Sequence, residues 1–141
     1  MTRTINVVEA ASRVDVTFTG PVSFADRIDT MDEVGPKVAH LGLKGVVLDY
    51  TNAWVDESPV SAFEGLEHNI RACGWLEGMK VALVNPAEFH AFPTEALSDE
   101  VGFEVRRFHT RSAAEAWLAK STRAGLSASR ESRGGRSQGR R

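Results

Sequence analysis

Cysteine is almost absent from this chain of 141 residues: Cys73 stands alone. No internal disulfide can form, and a reducing, cytoplasmic location is the expectation. Long apolar runs are missing too. The longest are about four or five residues, too short for a helix that crosses a membrane. The opening stretch MTRTINVVEAASR has no extended apolar segment, so no signal peptide is expected. Glycine-rich phosphate loops are lacking, since HLGLKG (40–45) fits neither dinucleotide nor P-loop spacing. His40, His68, His90 and His109 are scattered without metal-ligand spacing, so no metal site is expected and each reads as a surface or boundary histidine. No cofactor is implied.

What is present is an ordinary globular composition, 42% hydrophobic and 26% charged, enough to bury a core. The net charge of −2 conceals an asymmetry. Residues 1–119 carry a net −8, and residues 120–141 a net +6. The stretch KSTRAGLSASRESRGGRSQGRR has Leu126 as its one large apolar residue. It cannot bury enough surface to offset the entropy of ordering it. The expected organisation is one domain over 1–120 and a disordered basic tail over 121–141. Arginine charge alone could draw the tail to RNA or an anionic membrane. It lacks interleaved aromatics for base stacking, so a solvated terminus is expected and nucleic acid is not an expected partner.

Patterning along the domain alternates. VDVTF (14–18) has period 2 and ends at Gly20-Pro21, a strand and turn. INVVEAAS (5–12) is placed to pair with it antiparallel. Phe24, Ile28, Met31, Val34, Val38 and Leu41 mark a helix with Ser23 as its cap, and Gly35-Pro36 should kink or split it. GVVLDY (45–50) and MKVALV (79–84) read as strands buried on both faces. Between them Phe63, Leu66, Ile70 and Cys73 give a helix, with Cys73 in the core. Asn85, Pro86 and Glu88 form a helix start, and Gly102 a stop. FEVRRFH (103–109) is an edge-like strand, and SAAEAWLAK (112–120) a helix with a Ser112/Glu115 capping box. The order β-β-α-β-α-β-α-β-α predicts an α/β fold, a mixed sheet of about five strands with helical crossovers.

The chemistry-bearing stretch is VVLDYTNAWVDESP (46–59). A hydrolase of the phosphoaspartate type needs two carboxylates two residues apart, and Asp49 is followed by Thr51 instead. A receiver domain needs an acidic pair after the first strand and a lysine after the last, and neither is in place. No enzymatic activity is expected. Two readings of VDESP remain. Ser58 could cap a helix beginning at Pro59, with Asp56 and Glu57 favoured by the helix dipole. Alternatively, Ser58 is an exposed hydroxyl at a strand-to-helix junction, where phosphate would add about −1.5 to −2 charge beside two acids.

Three stretches resemble the STAS domain family, and its SpoIIAA-like (STAS/SEC14) branch in particular. GVVLDYTNAWVDESP resembles the strand, loop and phosphoacceptor segment. MKVALVNP resembles the buried strand after it, and FEVRRFHTRSAAEAWL the closing strand and helix. The resemblance spans about residues 4–120. It implies a STAS-type fold and a non-enzymatic regulatory or protein-interaction module, similar to an anti-sigma-factor antagonist. It implies Ser58 and Thr51 as the candidate phosphoacceptor hydroxyls, with Asp56 before the first and Asp49 two residues before the second as supporting acids. Glu57 and Pro59 depart from the family's serine and glycine at those places. A protein partner is expected, and the edge strand near 103–109 would permit a homodimer. A second class of function is a carrier of a small apolar or lipid ligand, using Trp54, Phe63, Phe89 and Phe92 around a groove.

Overall fold

The expected amino-terminal hairpin extends further than its period-2 core. In the computed structural model, which describes residues 1–120, strand β1 (Thr2–Val8) pairs antiparallel with β2 (Arg13–Val22) along its whole length. A single 3-10 turn at Glu9–Ala11 joins them, and Ser12 closes it in the left-handed region at φ 55°. The basic stretch 121–141 lies outside the described residues.

Helix α1 (Phe24–Leu41) begins at the predicted cap. Ser23 Oγ accepts from Asp26 N, and the Asp26 carboxylate accepts from Ser23 N, a complete capping box. The split expected at Gly35-Pro36 does not occur, for Pro36 sits inside one continuous helix. Pro36 and Asp32 both lie on the exposed side. The Asp32 carbonyl that loses its helical donor can therefore take water. Gly35 is buried against Trp75, where an added Cβ would come within 2.5 Å of the indole nitrogen. Packing on both sides of the proline holds the helix together.

Strand β3 (Gly45–Val55) is followed by α2 (Val60–Ala72), β4 (Lys80–Val84), α3 (Glu88–Val101), β5 (Glu104–Phe108) and a last helix, α4, at 111–120. The sheet order is β1-β2-β3-β4-β5, with β2 to β5 mutually parallel. Strands added in sequence order by crossovers of one hand place their helices on one face. Accordingly α1, α2 and α3 pack side by side against Val14, Val16, Phe18, Val46, Leu48 and Leu83. Helix α4 covers the opposite face through Ala114 and Leu118, against Val47, Ala82 and Val84. The central strands are buried on both faces, as their uninterrupted apolar runs required. Leu66 and Ile70 are fully buried in α2, each contributing about 1.5–3 kcal/mol of apolar burial. No described helix is long and apolar enough to cross a membrane.

Two predicted caps are displaced by tertiary bonds. Asn85 is not the cap of α3, which starts after Ala87 without a side-chain cap. Asn85 instead adopts φ 50°, a region asparagine tolerates, and its side-chain amide reaches Thr51 and the His109 carbonyl. At α4, Thr110 Oγ1 rather than Ser112 takes the first free N–H, from Ala113 at 3.1 Å. Glu115 turns to Arg13 and Arg111.

Candidate functional site

The carboxyl ends of the parallel strands form the edge where open α/β sheets present their functional groups. Strand β3 outruns its neighbour there. Its pairing with β4 ends at Asp49 opposite Val84, while its pairing with β2 continues to Val55 opposite Val22. Between Thr17 and Thr19 the register shifts by one residue, a β-bulge on β3. Sequence patterning ended this strand at Tyr50, because the polar run TNAWVDES hides the continuation.

On the α4 face of that edge, Asp49 Oδ1 accepts from Thr51 N at 2.9 Å and from Thr51 Oγ1 at 2.6 Å. Its Oδ2 takes Arg111 at 3.1 Å. Arg111 also pairs with Asp15 at 3.1 Å, and Asn85 Nδ2 donates to Thr51 Oγ1 at 3.0 Å. Burial opposes the Arg111 charge, but the carboxylates of Asp15 and Asp49 outweigh it and raise its pKa above the ordinary value. The expected pair Asp49 and Thr51 is thus brought together. Arg111 and Asn85 complete it, and neither was identified as a site residue. Asn85 directly follows β4, and Arg111 stands three residues past the end of β5, at the start of α4.

Ser58 lies elsewhere. The capping reading placed it on α2, but α2 begins after Pro59 with no side-chain cap. Ser58 Oγ accepts instead from Phe24 N at 3.1 Å, the first free amide of α1. The reason is the path of the chain. Asp56 N bonds the Val22 carbonyl at 3.1 Å, which draws residues 56–58 across the start of α1. Asp56 and Glu57 are exposed, and the Asp56 carboxylate makes no hydrogen bond to Ser58. Segment 49–58 therefore carries two separate hydroxyl environments rather than one.

The four expected groove aromatics also divide. Phe63 stacks on Phe92 with centroids 5.9 Å apart, and Phe24 stacks on Phe89 at 4.1 Å and meets Phe63 at 5.6 Å. Trp54 shares no ring contact with them and is 60% exposed. The chain has five exposed large hydrophobic residues among those described. Four lie at this same end of the sheet: Met1 beside Gly20, Trp54 near the end of β3, Val60 at the start of α2, and Phe92 in α3. Leu41 alone lies at the other end.

Beneath this edge sits a buried polar group that the sequence did not announce. The apolar stripe of α1 includes Arg27 as well as Phe24, Met31, Val34 and Val38. His90, expected as a surface or boundary histidine, is buried and stacks on Tyr50 at 4.6 Å. Tyr50 in turn stacks on Phe18 at 4.9 Å. His90 Nε2 lies 3.0 Å from the Val22 carbonyl, which assigns the proton to Nε2. Burial pushes the His90 pKa down, and Arg27 adds to that, against the bond to Val22. A folded-state pKa below the unfolded one means that the unfolded chain binds more protons. Stability is then complete above about pH 6.5 and declines as pH falls below it. Urea midpoints at pH 7.5 and pH 5.5 are expected to differ, and His90→Phe to remove most of that difference. An unchanged pH dependence in the variant would contradict this.

Cys73 is half-buried. Burial, with Asp32 nearby, holds its thiol pKa above the ordinary value, so it stays protonated and unreactive. Among the described residues no cluster of three or more His, Cys, Asp or Glu is placed to hold a metal ion.

No protein-family model matches the chain, and no curated protein sequence matches it. Solved structures do match in fold. An uncharacterized protein of the DUF3478 family with a SpoIIAA-like fold, from Shewanella loihica PV-4, superposes with a TM-score of 0.53 at 17% identity, over 83% of this chain and 92% of that one. The anti-sigma factor antagonist SpoIIAA in its unphosphorylated form gives 0.48 at 12% identity, covering 83% of this chain and 97% of that chain. The Bacillus cell fate determinant SpoIIAA in its phosphorylated form gives 0.49 at 11%, covering 83% and 99%. The chain has a SpoIIAA-like, STAS-type α/β fold, as the sequence resemblance implied.

Proposed function

We propose that the domain is a non-enzymatic regulatory module that docks a protein partner with the carboxyl end of its sheet, under the control of phosphorylation at Ser58. The observation that carries this reading is the gathering of four of the five exposed large hydrophobics at that end. Scattered apolar side chains are normal on a soluble surface, and it is their gathering at one end of the sheet that supports a docking role for that end. Aromatic residues such as Trp54 and Phe92 are the usual anchors of such faces.

Ser58 is half-buried within the same rim, two residues before Val60, which is 73% exposed. A phosphate there would replace the acceptor of the Phe24 amide and bring about −1.5 to −2 charge beside Asp56 and Glu57. Desolvating that charge against an apolar partner is costly, so docking would be lost. Thr51 plays a different part in this reading. Its hydroxyl is already engaged by Asp49 and Asn85, and it ties β3 to β4 and the start of α4.

The double variant Trp54→Ser/Phe92→Ser tests the docking face. Affinity for a partner captured from the native host is expected to fall at least about thirtyfold, on the scale of two aromatic anchors. The urea midpoint should hold, since both side chains are more than half exposed. Undiminished binding by a folded double variant would overturn the assignment.

A further inference from the structure

The proposed docking face is acidic as well as apolar. Residues 20–26, 52–64 and 85–96 build the loops and first helical turns at that end of the sheet. They include no lysine or arginine. The carboxylates of Glu88 and Glu95 are met from β5 by Arg107, and Asp26 is bound into the cap of α1. Asp56, Glu57 and Glu64 are exposed, and among the described residues none of the three forms an ion pair. Asp56 and Glu57 lie between Trp54 and Val60 in the chain. Glu64 stands one helical turn beyond Val60, on the same side of α2. Three uncompensated carboxylates thus stand among the exposed apolar residues.

The opposite composition occurs in the same chain. Beyond Lys120, where the described residues end, twenty-one residues follow with six arginines against Glu131 alone. Arginine pairs with carboxylates through its planar fork and lies over aromatic faces, so it suits a surface that carries both. Trp54 and Phe92 present such faces to solvent. Helix α4 brings Leu118 against Gly45 at the start of β3, so the chain leaves the domain at the other end of the sheet. A stretch of twenty-one residues spans up to about 70 Å, enough to round the sheet and reach its carboxyl end. Contacts between exposed charges are individually weak and screened by salt. Tethering offsets this, because a segment of the same chain acts at an effective concentration of about the millimolar range.

We propose that the arginine-bearing segment 121–141 docks on the domain's own acidic and apolar end, with guanidinium groups on Asp56, Glu57 and Glu64 and over the rings of Trp54 and Phe92. This rests on the reading of that end as a docking face, and it names what covers the face before a partner arrives. A partner must displace the segment, so its presence weakens docking. A phosphate on Ser58 would add charge that arginine forks bind bidentately, and would hold the segment down against the partner.

The test places a nitroxide spin label at Ser137→Cys in the full chain, with Cys73→Ser so that the label has one site. The readout is paramagnetic broadening of backbone amide signals. At about 0.15 M salt the signals of Asp56, Glu57 and Val60 are expected to lose at least about threefold more intensity than those of Leu41 and Lys44 at the other end of the sheet. At about 1 M salt that difference should vanish, as the screening length falls to about 3 Å. The variant Asp56→Asn/Glu57→Gln/Glu64→Gln should lose most of it at the lower salt. All three side chains are exposed and outside every ion pair of the described residues, so the fold is retained. Spin-labelled chains mixed with isotope-labelled chains that lack the nitroxide should produce no such broadening, which places the contact within one chain. Broadening that is absent, evenly spread, undiminished at high salt, unchanged in the triple variant, or equally strong between chains would each overturn the proposal. No partner enters this measurement, so its failure leaves the partner-docking face to be judged by Trp54→Ser/Phe92→Ser.

Discussion

Phe18→Ala is expected to lower the unfolding free energy by about 3–5 kcal/mol. Phe18 is fully buried on β2, in the core between sheet and helices, and it stacks on Tyr50. The substitution removes the transfer energy of a large ring and leaves a cavity that two flanking strands cannot close. It also takes away the platform on which Tyr50 and then His90 are stacked, worth about 0.5–1.5 kcal/mol more. His90 in turn bonds the Val22 carbonyl, which sets the last residue of β2 at the functional edge. Urea titration is the measurement, with a midpoint shift at unchanged slope. Phe18→Leu should cost less than half as much. A loss below about 1 kcal/mol for Phe18→Ala would contradict the ring stack as a support of the fold.

Asp49→Ala is expected to be the most damaging polar substitution, at about 1–3 kcal/mol. One carboxylate accepts from the Thr51 amide, the Thr51 hydroxyl and Arg111. Removal leaves Arg111 with Asp15, so the arginine is not stranded. Arg111 is also about a third exposed, which discounts the ion pair through solvent screening. The Thr51 amide and hydroxyl lose their acceptor outright. Hydrogen exchange at Thr51 should accelerate, and a double-mutant cycle with Thr51→Val should return a coupling of about 0.5–3 kcal/mol. Additive single effects would show that the two side chains act independently, against the geometry.

Much of the fold was legible because its cues are local. Continuous apolar runs at Val46–Leu48 and Val81–Val84 could only suit strands covered on both sides, and Ser23 with Asp26 sits where the pattern places a cap. What stayed hidden depends on distant residues. Pro36 is tolerated because the far side of its helix packs on Trp75. Ser58 and Asn85 look like helix caps, yet each is used by an element remote in sequence, Phe24 for one and Thr51 with His109 for the other. Arg27 falls at helical spacing between Phe24 and Met31. Its burial could be read only by ranking position above polarity.

The same division holds for the candidate site. Asp49 and Thr51 were legible as a pair because they are two residues apart on one strand face. Arg111 joins them from a helix more than sixty residues on, and no local pattern carries that information. Trp54 was grouped with Phe63, Phe89 and Phe92 by its aromatic character. The bulge on β3 sends it away from them.

Partner capture from native host lysate, comparing wild type, Ser58→Ala and Ser58→Asp with intact-mass analysis, tests the central claim most directly. The account expects wild type and Ser58→Ala to retain the same partner and Ser58→Asp to lose it. It also expects a phosphate adduct on a fraction of the wild type that is missing from Ser58→Ala. Identical capture by all three proteins, with no phosphate on any of them, would contradict it and leave Ser58 as the acceptor that closes the first turn of α1.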